Sequence, residues 1–386
     1  MNVNLRRWLP FFVVLTPIVI LLIWYVYRTW TNTIFLADFL FVPLVGDFLN
    51  GNWSPMFLFS RFGEHLLVGT GILDLFAAKY FAWDNRIFPL MFIPAYALTA
   101  AIIYSECLKI FDKLRSIILG IIFLPLCFLC FSLVAQTWVG MSTQFEWGLT
   151  IGFLIAWFLQ RDFDTSSDSP QPRWPLIAIL ILVPINFLVF TGSYFPGVVF
   201  GLGVMYLSRA LLTGKWRAPR IFLVAVEVVI CALLYCYYVF ILQADKNGAA
   251  MRGIFHYFAD PVGTIMFYVY GIGGSVMDQH TFESVEPSIY LIIGSILGII
   301  SLVALWLFIK TEMYRKTYLP IYCMSYTLGI ITAVRVGRGL FGDPIWILND
   351  WYSFHLSFFV IGVVWILLYV LVDAYTQTQR GAIDEV

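Results

Sequence analysis

Charge is what this chain has least of. Only 12% of its 386 residues are Asp, Glu, Lys or Arg, while 61% are apolar. A soluble domain carries about 25% charged residues, so the shortage excludes an ordinary soluble globular protein. Basic and acidic residues balance at 23 each, so no positive excess marks a nucleic-acid partner. Histidine is scarce, with four residues. No His/Asp spacing describes a metal cage, and the sequence gives no support to a divalent cation. There is no Gly-rich loop followed by Lys and no GxSxG nucleophile. No cofactor is therefore expected. The six cysteines, 107, 127, 130, 231, 236 and 323, all fall inside hydrophobic runs. Cys127 and Cys130 in "LPLCFLCFSL" have no second pair and no nearby His, so they read as buried small hydrophobes. "NLRRWLP" precedes the first apolar run, but no small-residue cleavage site follows. That run reads as an uncleaved transmembrane helix. No internal repeat is visible, which weighs against the repeat-built secondary transporters.

What is abundant is long apolar text. Runs able to cross about 30 Å of hydrocarbon occur at 9–27, 87–108, 116–135, 145–160, 175–192, 196–213, 221–243, 288–309, 318–334 and 351–373. The expected fold is therefore all-α and polytopic, about ten transmembrane helices in a single domain over 1–386. Residues 262–276, "VGTIMFYVYGIGGSV", are too short and glycine-rich for a span and read as an interfacial or re-entrant piece. "LRR" at 5–7, "KIFDKLR" at 109–115, Arg161, Arg173, "GKWRAPR" at 214–220, "KTEMYRK" at 310–316 and Arg380 then share one side. The positive-inside rule makes it cytoplasmic, with both termini there, in the cytoplasmic membrane. Glu227, in the seventh run, reads as snorkelling to that interface.

The other side holds 28–86, 136–144, 193–195, 244–287 and 335–350, with three of the four His and many aromatics. Any chemistry is expected on this external face. Residues 28–86 and 244–287 are its two large segments. The first is half apolar and reads as surface-lying amphipathic helices. Ser54-Pro55 supplies one helix start. A second helix is expected from about Gly69 to Ala82, with Asp74 and Lys79 on its wet side.

Candidate site residues follow from residue type. Asp38, among Phe35, Leu36, Phe39 and Leu40, has apolar neighbours able to raise a carboxyl toward the working pH of a general base. It reads equally as a surface-helix carboxylate near Arg28 or Arg61. Asp47 in "GDFLNG" orients a substrate or caps a helix between glycine turns. Glu64 and His65 form a second polar cluster, and adjacent residues do not share a helix face. Arg335 and Arg338 are three apart, so on a helix they make a two-pronged anion clamp. The alternative is a pair of arginines ending a helix. Arg252 with His256 is a weaker pair of the same kind. Gln136, Gln144 and Glu146, in the loop expected after the third span, stand among Trp138 and Trp147. They suit sugar binding or an aromatic belt. Tyr194, Trp351, Tyr352 and His355 carry the same two readings.

These passages resemble the GT-C superfamily of membrane glycosyltransferases, in particular its little-characterised bacterial integral-membrane branch. The resemblance lies in "ADFLFVPLVGDFLNGNWS" followed by "RFGEHLLVG", then "AQTWVGMSTQFEWGLTIGFL" at 135–154, "FTGSYFPGVV" at 190–199 and "VRVGRGLFGDPIWILNDWYSF" at 334–354. It runs in order over most of the chain. It implies a GT-C fold, a polyprenyl-phosphate-linked sugar as donor, a glycan or lipid acceptor and no nucleic acid. On that reading Asp38 is the general base. Asp47, Glu64, His65, Gln144, Glu146, Arg335, Arg338 and Tyr352 bind substrate. The chain departs from the pattern at Ala37, which precedes Asp38 where relatives pair two acids. Leu66 and Trp351 stand where relatives have Arg. A flippase or transporter for lipid-linked sugars, and a polysaccharide polymerase or ligase, are the competing expectations.

Overall fold

A computed structural model describes residues 5–29, 41–55, 58, 68–84, 86–110, 139–164, 174–191, 194–214, 219–237, 249–276, 285–338, 344–348 and 350–384. No strand occurs among them. The helices are α1 (Leu5–Thr29), α2 (Val42–Leu49), α3 (Val68–Phe81), α4 (Ile87–Ile110), α5 (Val139–Asp164), α6 (Trp174–Ile185), α7 (Phe195–Thr213), α8 (Pro219–Cys236), α9 (Ala249–Ala259), α10 (Pro261–Gly273), α11 (Pro287–Lys310), α12 (Leu319–Arg338) and α13 (Asp350–Asp384). α6 widens after Pro184 into a π-helical stretch, Asn186–Thr191, the loosening expected where a proline interrupts the ladder.

Among the described residues, five helices are long and apolar enough to cross a membrane: Arg7–Arg28, Phe195–Thr213, Pro287–Lys310, Leu319–Gly337 and His355–Ala374. This is an all-α, multi-pass membrane protein. α4 and α5, with 24 and 26 residues, exceed the roughly 20 residues a crossing needs. The run expected at 116–135 lies outside the described residues. Segment 262–276 becomes α10, a 13-residue helix of roughly 20 Å, too short to span.

α12 and α13 form the axis. Their apolar windows are 78% and 61% buried, against 19% for α1 and 22% for α11, whose exposed Ile and Leu face outward. Small residues bring the axial helices together. A Cβ on Gly201 would lie 2.8 Å from the Tyr322 ring, and one on Gly362 would lie 2.6 Å from the Pro320 carbonyl. Gly197 meets Ile330 while Gly201 meets Tyr322, so α7 runs antiparallel to α12. α10 and α11 are antiparallel by the same test. A Cβ on Gly294 would sit 1.9 Å from the Val269 carbonyl oxygen, and one on Gly273 would sit 2.2 Å from that of Tyr290.

α4 and α5 run parallel. Trp147 Nε1 donates to the Met91 carbonyl (3.1 Å), Thr150 Oγ1 to that of Ala95 (3.2 Å) and Trp157 Nε1 to Glu106 (2.8 Å). These directions define two ends. One gathers the end of α1 with α2 and α3, the starts of α4, α5, α7, α11 and α13, and the end of α12. It is the end to which the described parts of 28–86, 136–144, 193–195, 244–287 and 335–350 belong. The far end gathers Arg7 and Tyr104, Gln160, Trp174 and the turn Met313–Arg315.

Candidate functional site

α12 brings Arg335 to its last turn, where the residue is 1% exposed. An unpaired cation there would be costly. Asp260 answers it: Arg335 Nη2 donates to Asp260 Oδ2 at 2.8 Å, and Nε donates to Thr264 Oγ1 at 3.2 Å. The Phe267 ring lies 5.6 Å from the guanidinium carbon. Asp260 is held by local chemistry. It caps α10, accepting from the Gly263 N–H at 2.9 Å, with Pro261 at the first helical position, as helix starts prefer. His256, one turn earlier, has Nε2 4.0 Å from Asp260 Oδ2. The Gly263 N–H and the Arg335 guanidinium, with His256 nearby, hold the Asp260 carboxyl below its ordinary value. Half of Asp260 faces outward (41% exposed) while Arg335 does not, so this pair has an open side and a closed side. α9 is pressed on it: a Cβ on Gly253 would overlap the Val336 carbonyl oxygen. Next to the pair, the hydroxyls of Tyr257, Tyr268 and Thr332 form a chain.

A second polar group sits between α3 and α5. The buried Gln144 Oε1 accepts from Thr70 N–H at 2.7 Å and Thr70 Oγ1 at 2.8 Å. Thr70 lies in the first turn of α3, where backbone N–H groups have no helical partner, so Gln144 caps α3 from 74 residues away. Asn186 Nδ2 donates to the Gly148 carbonyl at 2.8 Å. Glu146 is 3% exposed, with no hydrogen-bond or ion partner among the described residues.

The third group is aromatic. His355 stacks on Tyr194 with centroids 4.2 Å apart, and Tyr352 meets Tyr194 edge-on at 6.4 Å. Tyr326 hydroxyl and His355 Nδ1 are 2.7 Å apart. Thr327 Oγ1 donates to the His355 carbonyl at 3.0 Å. Beneath, Phe153, Tyr322, Tyr326 and Phe358 form a continuous ring cluster, with neighbouring centroids 5.9–6.0 Å apart.

The structure therefore gathers Gln144, Glu146, Arg335 and Tyr352 at one end, each buried. Gln144 and Glu146 stand on helix α5 and not in a loop, because α5 begins at Val139. Arg335 is engaged with Asp260, a partner the sequence reading did not name. Arg338 closes α12 three residues on, and its side chain lies outside the described residues. Asp47 is exposed in the last turn of α2 and caps no helix among the described residues; Gly46 is helical, and Gly51, at φ 76°, makes the left-handed turn after it. Asp38, Glu64 and His65 lie outside the described residues, as does the Arg252 side chain. The expected wet side of α3 is corrected in part. Lys79 is exposed, but Asp74 is fully buried and accepts from Trp83 Nε1 at 3.2 Å. The turn after α3 folds that tryptophan back over it. The missed residue, Asp260, did leave a trace: Asp-Pro at 260–261 is a helix start, with His256 four residues before.

No His/Cys/Asp/Glu group able to hold a metal occurs among the described residues. Cys231 and Cys323 are buried free thiols. Comparison with protein-family models, curated proteins and solved structures finds no match for this chain.

Proposed function

We propose that this chain is a membrane glycosyltransferase with a GT-C-like bundle of about ten spans. It moves a sugar from a polyprenyl-phosphate carrier to an external glycan, lipid or cell-envelope acceptor. It sits in the cytoplasmic membrane with its working face outside and both termini inside. The parallel course of α4 and α5 supports the span count, because one intervening crossing produces that arrangement.

One observation carries the reading. Arg335 with Asp260, Gln144, Glu146 and His355 gather at one end of the bundle, and the Phe153, Tyr322, Tyr326 and Phe358 rings close the space beneath them. A lipid-phosphate sugar presents its anomeric carbon at headgroup depth, so a one-ended site suits it. A flippase needs polar groups continuing toward the other face, and the aromatic floor speaks against that path.

Inverting transfer requires a carboxylate within hydrogen-bond reach of the acceptor hydroxyl and cations for the departing phosphate. In this proposal Asp38 is the base. Arg335 and Arg338, with His65, meet the phosphate. Asp47, Glu64, Gln144, Glu146 and Tyr352 bind sugar or acceptor. Arg335 spends two of its five N–H groups on Thr264 and Asp260, and the other three have no acceptor among the described residues, which suits them to a phosphate oxygen. The test is donor turnover in nanodiscs with radiolabelled polyprenyl-phosphate sugars, wild type against Asp38→Asn. Loss of about 100-fold or more in a folded variant supports transfer with Asp38 as base. Retained turnover moves the base to Asp47 or Glu64. Lipid movement across the bilayer without turnover overturns the transferase in favour of a flippase. Polymeric product identifies a polymerase or ligase.

A further inference from the structure

Glu146 is a buried carboxylate at the site end with no hydrogen-bond or ion partner among the described residues. Its place can be read from three helices. On α5 it lies seven residues before Phe153, two turns up the same face. Phe153 meets Phe358 of α13 at 6.0 Å and Tyr322 of α12 at 5.9 Å. α13 runs parallel to α5, so two turns up from Phe358 is residue 351, and His355 lies on that face between them. α12 runs antiparallel to α5, since Gln160 Oε1 accepts from Tyr318 N–H at 2.7 Å while Phe153 meets Tyr322. Two turns up from Tyr322 is Gly329. The independent registers agree: Glu146 stands in the layer just above His355 and level with Tyr352. That layer lies roughly 10 Å below the start of α5 and directly over the aromatic floor. At this level α7 and α12 approach closely: a Cβ on Gly329 would lie 2.9 Å from the Gly197 Cα.

We infer that Glu146 and the Tyr194–His355–Tyr352 wall form a subsite for a neutral, hydroxyl-rich ring, the sugar residue of the bound substrate. The carboxylate accepts from ring hydroxyls, replacing the water it loses by burial. The aromatic faces take the apolar face of the ring. No second acid joins it in a metal-holding group among the described residues, and a lone carboxylate is a poor cation cage, whereas carboxylate plus stacked aromatics matches a pyranose or furanose on both its polar edge and its apolar face. The subsite rests on the glycosyl-transfer reading and specifies it: the sugar inserts into the bundle, below the level of the phosphate at Arg335.

The test is chemical protection of the full chain in nanodiscs. Dicyclohexylcarbodiimide labels carboxyl groups in apolar surroundings, and mass spectrometry reads Glu146 directly. The probes are polyprenyl-phosphate glucose, mannose and arabinose, bare polyprenyl phosphate, and hexylamine. Glu146 is expected to label in the empty protein and to be protected by at least one sugar-bearing lipid but not by the bare lipid phosphate. Glu146→Gln should weaken binding of that sugar lipid by about tenfold, the worth of one charged hydrogen bond, without changing binding of bare polyprenyl phosphate in native mass spectrometry. Equal protection by the bare phosphate, protection by hexylamine alone, or no labelling of Glu146 overturns the subsite. So does binding of a sugar lipid that leaves Glu146 unprotected. In each case the lipid-linked donor reading stands or falls separately, on whether any polyprenyl phosphate species binds at all.

Discussion

Helix α5 carries a glutamine near each end, and the two do the same job. Gln144 accepts from the first turn of α3, and Gln160 accepts from the Tyr318 N–H at the start of α12. Each satisfies a donor that the helix it caps leaves open. Each amide also has a glutamate near it in the fold, and there the ends part. At the far end Glu106 receives Trp157 Nε1 at 2.8 Å. At the site end Glu146, two residues from Gln144, receives nothing among the described residues. Both glutamates are buried. At the far end Glu106 and Gln160 each receive a donor, whereas at the site end Glu146 receives none among the described residues and the Asp260 ion pair is half open.

The largest effect is expected where backbones touch. Gly294→Leu drives a side chain into the Val269 carbonyl of α10, which carries the acceptors of Arg335. The expected cost is about 3 kcal/mol, with loss of amide protection confined to α10 and its neighbours. Gly298→Ala, four residues on with nothing within 4 Å of its Cβ position, is expected to stay within about 0.5 kcal/mol of wild type. Unfolding in mixed micelles, read with hydrogen exchange, checks both. Equal losses at Glu106 and Asp260 would mean that the two ends are one unit.

The paired amides come next. Gln144→Leu and Gln160→Leu each strand a buried N–H, and each should cost about 2 kcal/mol. Near-equal values sharpen the comparison by showing that capping is common to both ends. The glutamates should then separate in sign. Glu106→Leu leaves Trp157 Nε1 without an acceptor and is expected to destabilise by about 1–2 kcal/mol. Glu146→Leu removes a carboxylate that burial disfavours and is expected to stabilise the ligand-free protein by about 1 kcal/mol, while abolishing any sugar-lipid turnover. A loss of stability in Glu146→Leu would mean that Glu146 is a structural group like Glu106.

How much of this was readable beforehand depends on the kind of force. The spans expected at 196–213 and 288–309 and the helix expected near Gly69–Ala82 are α7, α11 and α3 to within a residue or so, although α3 is mostly buried and not the surface helix expected. Apolar runs bounded by Pro, Gly or charge are decided locally. Arg335 at the end of a helix was also readable, because it directly follows an apolar run. Its partner was not, since Asp260 lies 75 residues away and reaches it only through the α10–α12 contact. Asp74 was misplaced because alternation on α3 says nothing about the fold of the turn that buries it. Gln144 and Glu146 were assigned to a loop because their text is polar and tryptophan-rich. Tertiary packing makes that text the first buried turns of α5.

The smallest effect expected is acid sensitivity at the open pair. Asp260 has its folded-state value held below 3.8 by the Gly263 N–H, Arg335 and nearby His256. A carboxyl with a depressed folded value contributes stability above its unfolded value and loses it as pH falls through the lowered one. The melting midpoint of wild type should therefore fall on acidification from about pH 4 downward. Asp84 is lowered too, chiefly by its side-chain bond with Arg86, so wild type must be compared with Asp260→Asn. The variant, which has no charge to lose at this position, should start lower at pH 7 and show the shallower acid limb, the two curves converging in acid. The gap is expected to be modest, because solvent reaches 41% of the Asp260 side chain and screens the pair. A gap that instead persists unchanged to the lowest pH would mean that Asp260 acts as a neutral helix cap. Arg335 would then be a buried cation whose compensation lies elsewhere, and the contrast between an open and a closed end would rest on Glu146 alone.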